Sequence, residues 1–189
     1  MISQKLICAG FGGQGVMSLG QLLTYAGMLE GKEVSWMPSY GPEMRGGTAF
    51  CCVNISDKPI GSPLIGDDAS CAIVMNLPSF QKFEPRVVSG GELLVNSSLI
   101  DQVSSREDLN VYYIPANEEA VRCGNAKMAN MVMLGAYLEL TGVVHRSSIV
   151  NAFKKVFGAK AARLLSKNKT ALDHGAECIR SQIPLTAAI

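Results

Sequence analysis

An α/β fold, a three-layer α/β/α sandwich around a mostly parallel sheet, is what this sequence predicts, and three observations carry the prediction. Short apolar runs alternate along the chain with segments of helical period. The first run, Leu6 to Ala9, passes directly into a glycine-rich turn that opens a helix. The run Cys71 to Met75 is almost continuously apolar, as suits a strand covered on both faces.

In order, the first strand is followed by Gly10-Phe11-Gly12-Gly13-Gln14-Gly15 and a helix to about Glu30. That helix carries Val16, Leu19, Leu23 and Ala26 at helical spacing, and Gly31 stops it. Val34 to Met37 is a second short strand. The stretch Pro38 to Gly47 is too rich in glycine and proline for helix or strand. Strands return at Thr48 to Ile55, Cys71 to Met75, Glu92 to Asn96 and Val111 to Ile114. After Pro115 the pattern turns helical over Asn117 to Cys123, Met128 to Leu140, Ser147 to Phe157 and Ala161 to Cys178. With 189 residues and no repeat or linker, the chain is expected to form one domain over 1–189.

Composition narrows the function classes. Lys and Arg number 17 against 16 Asp and Glu, a net charge of +1, which argues against nucleic acid as a partner. No run approaches the roughly 18 apolar residues of a spanning helix, and the first apolar run is too short for a signal-peptide core. A cytoplasmic protein with no membrane partner is expected. The six cysteines, Cys8, Cys51, Cys52, Cys71, Cys123 and Cys178, are scattered, without the close spacing of iron–sulfur ligands. Adjacent Cys51 and Cys52 lie in a strand and should point to opposite faces. His145 and His174 are isolated. Reduced thiols, no metal, no cluster and no catalytic residue of its own are the expectation.

Four features carry information. Gly10, Gly12 and Gly15 fit GxGxxG between strand and helix, where glycines admit a tight turn and the helix N-terminus favours an anion. The acidic partner of a dinucleotide site is missing: the second strand ends in Trp36-Met37-Pro38. The glycines therefore serve close packing, a phosphate contact of another kind, or a partner subunit. Pro38 to Gly47 presents Glu43 and Arg45 on a rigid path, and the planar guanidinium of Arg45 suits a phosphate or carboxylate. Met128 to Leu140 is apolar nearly all round, which means core or subunit interface. Lys154, Lys155, Lys160, Arg163, Lys167 and Lys169 form a basic run, either a solvated face or a contact for an acidic partner or phosphates.

Several stretches together resemble the gamma subunits of 2-oxoacid:ferredoxin oxidoreductases. They are Gly10 to Val16, Glu30-Gly-Lys, Pro38 to Gly47, Ser56 to Ile60, Asn76 to Phe80 and Asn125 to Met131, in the family's order and spacing over about residues 4 to 145. Trp36 to Thr48 and Gly61 to Leu64 look most like the 2-oxoglutarate branch, with 2-oxoisovalerate or pyruvate as alternatives. The resemblance implies the fold of the gamma domain of pyruvate:ferredoxin oxidoreductase. It further implies a non-autonomous enzyme subunit that packs beside alpha, beta and delta-type subunits, which carry thiamine diphosphate and iron–sulfur clusters and pass electrons to ferredoxin. Coenzyme A contacts would fall on Gly10, Gly12, Gly13, Gln14, Gly15, Pro42, Glu43, Arg45 and Gly46. Separately, the 48% hydrophobic content and the all-apolar helix lead to the expectation that the isolated chain self-associates or behaves poorly as a monomer, a homodimer being one outcome. The competing classes are a stand-alone nucleotide-binding module or NAD(P)-linked reductase, and a structural or regulatory protein.

Overall fold

Period-2 apolar runs become strands when both faces can be covered, and the described residues hold six of them. The computed structural model describes residues 2–39, 49–158 and 161–183, and of 161–164 the backbone alone. The strands are β1 (Ser3–Gly10), β2 (Glu33–Ser39), β3 (Ala49–Ser56), β4 (Ala69–Val74), β5 (Val87–Asn96) and β6 (Asn110–Ile114). They form one sheet in the order β2-β3-β1-β4-β5-β6. The run β1, β4, β5, β6 is parallel throughout, whereas β3 pairs antiparallel with both β1 and β2. This is the mostly parallel α/β fold that the sequence predicts.

The helices are α1 (Val16–Leu29), α2 (Leu77–Phe83), α3 (Ala116–Arg122), α4 (Ala129–Thr141), α5 (Arg146–Phe157) and α6 (Ala161–Gln182). Five of the six follow the sequence expectation to within a few residues. The unexpected one is α2, whose start is nonetheless written locally. Asn76 accepts the Ser79 N–H through Oδ1 at 2.9 Å, and Pro78 occupies the first turn, where a missing N–H costs nothing. Strand β5 also begins five residues early. Gly90, at φ 77°, and a register shift between Ala69 and Cys71 carry the pairing past a stretch that reads as a turn.

Alternation divides the sheet residues between two cores. Leu6, Cys8, Cys51, Val53, Cys71 and Ile73 face α1 and α4 to α6, while Ile7, Cys52, Ala72, Val74 and Leu93 face Phe80 and Phe83 of α2. Cys51 and Cys52 thus point to opposite faces, as the strand period requires. The two helical layers are unequal: among the described residues the second holds only the α-helix α2, with Ile65 and Ile100 from the connecting segments completing its core.

The thick layer is organised around α4, in which every residue from Ala129 to Leu138 is buried. It therefore belongs to the core. Its partner α6 approaches backbone to backbone. A β-carbon on Gly175 would lie 1.8 Å from the Val132 carbonyl oxygen, and one on Gly135 would lie 2.1 Å from that of Leu172. Only glycine at both positions permits this crossing. Helix α3 is tied to α6 by Glu119, a buried carboxylate bonded to His174 Nδ1 at 2.8 Å and to Arg122.

Gly175→Ala is expected to lower unfolding free energy by at least about 2 kcal/mol, because the helices must part to admit the methyl group. Gly61→Ala, where nothing lies within 4 Å, should stay within about 0.5 kcal/mol of the parent. Urea denaturation of both variants checks the contrast.

Candidate functional site

Parallel strands deliver their carboxyl ends to one edge, and the chain places its glycine turn there. β1 ends at Gly10, Gly12–Gln14 form a single 3₁₀ turn, and Gly15 adopts φ 74°, ψ 20° before α1 begins. The left-handed conformation at Gly15 redirects the chain into the helix. The site is also crowded, since a β-carbon there would stand 2.6 Å from Asn130 Nδ2, which donates to the Gly15 carbonyl at 3.2 Å.

The side chain of Gln14 folds back into the turn and fixes it. Its Oε1 accepts the Phe11 N–H at 2.7 Å and an Asn76 amide N–H at 3.1 Å. Its Nε2 donates to the Met75 carbonyl at 3.0 Å. One carboxamide therefore joins the end of β1, the end of β4 and the residue that caps α2. Gly10 makes room for it: a β-carbon at Gly10 would meet Gln14 Oε1 at 2.8 Å and Met75 Cβ at 2.9 Å.

The bonding continues along the sheet edge. Asn96, at the end of β5, donates to the Met75 carbonyl at 3.4 Å and to Asn117 Oδ1 at 2.9 Å. The Asn117 N–H donates to Ser98 Oγ at 2.9 Å, and that hydroxyl donates to Glu118. A row of carboxamides thus spans the carboxyl ends of β1, β4, β5 and β6. Of these residues, the sequence singles out Gln14 and the Asn76 stretch. Asn96 and Asn117 it does not, while Asn130 falls within the Asn125 to Met131 stretch. Their signal was a polar amide at the end of an apolar strand or the start of a helix, which reads equally well as turn chemistry.

What remains open on the turn is its backbone. The first amides of a helical turn have no intrahelical acceptor. At Gly12 and Gly13 those groups lie on an exposed surface, and nothing stands within 4 Å of where a Gly13 side chain would begin. No acidic residue occupies the first turn of α1, so its positive dipole end is not neutralised locally. The arrangement can receive an anion through its N–H groups. Of the expected site residues, Gly10, Gly12, Gly13, Gln14 and Gly15 form this turn. Pro42, Glu43, Arg45 and Gly46 lie outside the described residues.

The missing dinucleotide acid also finds its physical reason. In a dinucleotide-binding unit, the strand carrying that acid runs parallel beside the first. Here the neighbour of β1 on that side is β3, and it runs antiparallel.

Cysteine chemistry is absent from this edge. Cys8, Cys51, Cys52 and Cys71 are buried in the sheet, and burial pushes the Cys8 and Cys71 thiols well above their ordinary range. Among the described residues, no three His, Cys, Asp or Glu side chains converge on a metal position, and no helix is long and apolar enough to cross a membrane.

Residues 5–178 match the family described as pyruvate ferredoxin/flavodoxin oxidoreductase. The chain belongs to that family. A ketoisovalerate oxidoreductase subunit VorA from Methanothermobacter thermautotrophicus is 40% identical over 177 residues, covering 93% of this chain and 36% of the relative. The chain therefore spans about a third of the VorA relatives it matches. A 2-oxoglutarate synthase subunit KorC from Methanocaldococcus jannaschii is 35% identical over 155 residues, covering 79% of this chain and 81% of the relative. Among solved structures, the 2-oxoglutarate:ferredoxin oxidoreductase of Magnetococcus marinus, with 2-oxoglutarate, coenzyme A and succinyl-CoA bound, superposes with a TM-score of 0.86. That match covers 96% of this chain and 32% of the other at 23% identity, and it shows the shared fold.

Gln14→Leu is expected to keep the shape of the side chain and strip its three bonds. With the Phe11 N–H, the Met75 carbonyl and the Asn76 amide each losing a partner, unfolding free energy should fall by about 2–4 kcal/mol. Chemical denaturation measures it, and a change below about 0.5 kcal/mol would show that the clasp is dispensable.

Proposed function

We propose that this chain is the gamma-type component of a 2-oxoacid:ferredoxin oxidoreductase, in which it forms one side of the coenzyme A site. The observation that carries the reading is the preformed glycine turn at the carboxyl end of β1, with exposed backbone and an uncompensated helix N-terminus. These groups fit an anionic diphosphate. Family membership and the coenzyme A in the Magnetococcus structure supply the ligand class. Coenzyme A contributes the thiol that accepts the acyl group. The role of this chain is to bind and orient it.

Thiamine diphosphate and iron–sulfur clusters belong to companion subunits on this reading. Four of the six cysteines here are embedded in the core and two are half-buried, and no three metal-ligating side chains converge among the described residues. Companions of alpha, beta and delta type would supply the decarboxylation and the electron path to ferredoxin. The free thiols suit a reducing cytoplasm, and 1–189 serves as one domain.

Two substrate readings have support. The Trp36 to Thr48 stretch favours 2-oxoglutarate, and the 40% identity to VorA favours 2-oxoisovalerate. Purification of the assembled enzyme, followed by ferredoxin reduction with each 2-oxoacid, separates them.

Arg45→Ala in that enzyme tests the site. Loss of a charge-assisted contact worth roughly 1.5–3 kcal/mol should raise KM for coenzyme A about 10- to 150-fold and leave KM for the 2-oxoacid nearly unchanged. Gel filtration distinguishes an anchoring role for Arg45, in which assembly fails. Intact assembly with unaltered coenzyme A dependence would contradict the proposal.

A further inference from the structure

Two of the buried cysteines stand opposite one another in the sheet. Cys8 of β1 and Cys51 of β3 are direct partners in the antiparallel register, and both turn toward the thick helical layer. Residues opposed in this way have Cα atoms about 4.5–5.5 Å apart, within the span that a disulfide bridges. Their β-carbons need approach by only about 1 Å for the bond to form. The other buried thiols do not share this geometry. Cys52 points to the opposite face. Cys71 is level with Leu6 on β4, two register steps from Cys8. Strand spacing and rise put that pair at about 8 Å, beyond the reach of a bridge.

Their surroundings make the two thiols unequal. The Cys51 S–H donates to the Val16 carbonyl at 3.5 Å. Its sulfur lies so close under α1 that a β-carbon on Gly20 would stand 2.5 Å from it. The indole nitrogen of Trp36 flanks the same point at 3.1 Å, and it is buried without a hydrogen-bond acceptor. A thiolate at Cys51 gives that N–H an acceptor. The neighbouring Cys8 thiol, outweighing burial, holds Cys51 below the ordinary thiol value, and the Trp36 and Gly20 N–H groups act in the same direction. Burial holds Cys8 well above it. One thiol that ionises readily therefore faces one that stays protonated, which is the composition of an oxidisable dithiol.

We propose that Cys8 and Cys51 are a reversible disulfide site, closed by hydrogen peroxide, and that closure loosens the start of α1. The Cys51 sulfur attacks the peroxide: an S–O bond forms, the O–O bond breaks, and one water leaves with the thiol proton. The Cys8 sulfur then attacks the sulfenic sulfur of Cys51. An S–S bond forms, the S–O bond breaks, and the hydroxyl leaves with the Cys8 proton as a second water. The two thiols lose two electrons and one peroxide gains them. Both residues are fully buried, which excludes bulky disulfide oxidants. Peroxide, little larger than water, enters through the local openings by which buried amides exchange. The bridge draws the Cys51 sulfur toward β1, removes the S–H that bonded Val16, and takes support from Gly20. Val16 follows the glycine turn directly, so the change is felt where α1 begins.

The test treats the assembled enzyme with hydrogen peroxide, blocks free thiols with iodoacetamide in denaturant, and maps the unreduced peptides by mass spectrometry. The expected product joins the Cys8 peptide to the Cys51 peptide, two hydrogens lighter than the separate pair, and dithiothreitol abolishes it. Cys8 and Cys51 both still alkylated at peroxide concentrations that oxidise the half-buried Cys123 and Cys178 would overturn the inference. Cys51 carried to sulfinic acid without a bridge would overturn it equally. Hydrogen exchange reads the effect on α1: amides of 16–20 should exchange about 5-fold faster in the bridged enzyme, as loss of one hydrogen bond implies, and recover on reduction. Unchanged exchange with the bridge formed contradicts the coupling to α1. Cys8→Ser leaves Cys51 in place and should show neither the bridge nor the faster exchange. Faster exchange in that variant after peroxide rules out the disulfide as its cause.

Discussion

The carboxamide of Gln14 is the constraint on which the functional edge depends. Parallel strands bring their carboxyl ends together, but they do not fix the path of the chain that leaves them. Gln14 does so by engaging its own turn, the Met75 carbonyl at the end of β4 and the cap of α2 at once. Two consequences follow for neighbouring residues. Gly10 has no space for a side chain, and Asn76 is held in the rotamer that caps α2. Much of the glycine motif is thus explained by packing, and ligand chemistry is left to the exposed backbone at Gly12 and Gly13.

The same economy governs the helical layer. A backbone-on-backbone crossing of α4 and α6 draws α6 close to the sheet and buries α4 completely. Helix α6 then closes over α3 through the Glu119–His174 bond. This rigid layer sets the segment from Asn125 to Met131, whose Asn130 donates to the Gly15 carbonyl. Packing far from the sheet edge therefore decides the geometry of the edge.

How much of this the sequence disclosed varies with the kind of information. Strands and long helices were legible because burial imposes periods of 2 and 3.6 on the apolar residues. The placement of Cys51 and Cys52 on opposite faces, and the helix opening after Gly15, are of this kind. Strand direction was not legible, since periodicity says nothing of a strand's neighbour, and the antiparallel β2 and β3 are seen only in the pairing. Helix α2 escaped because seven residues give too little period, although its Asn76 cap and Pro78 were in view. The carboxamide row escaped for another reason. Asn76, Asn96 and Asn117 are far apart in sequence, and only the strand order β1-β4-β5-β6 makes them neighbours.

A division of labour follows from these features. The chain offers oriented amides and a helix dipole, and the thiols of Cys8, Cys51, Cys52 and Cys71 are buried. On the function proposed above, this equipment would hold a cofactor rather than transform one. The most direct test is amide hydrogen exchange of the assembled enzyme with and without saturating coenzyme A, resolved over Gly10 to Val16. The account expects Gly12 and Gly13 to gain protection on addition of coenzyme A, while the Phe11 amide, already bonded to Gln14, changes little. Unaltered exchange at Gly12 and Gly13 under saturating coenzyme A would contradict it.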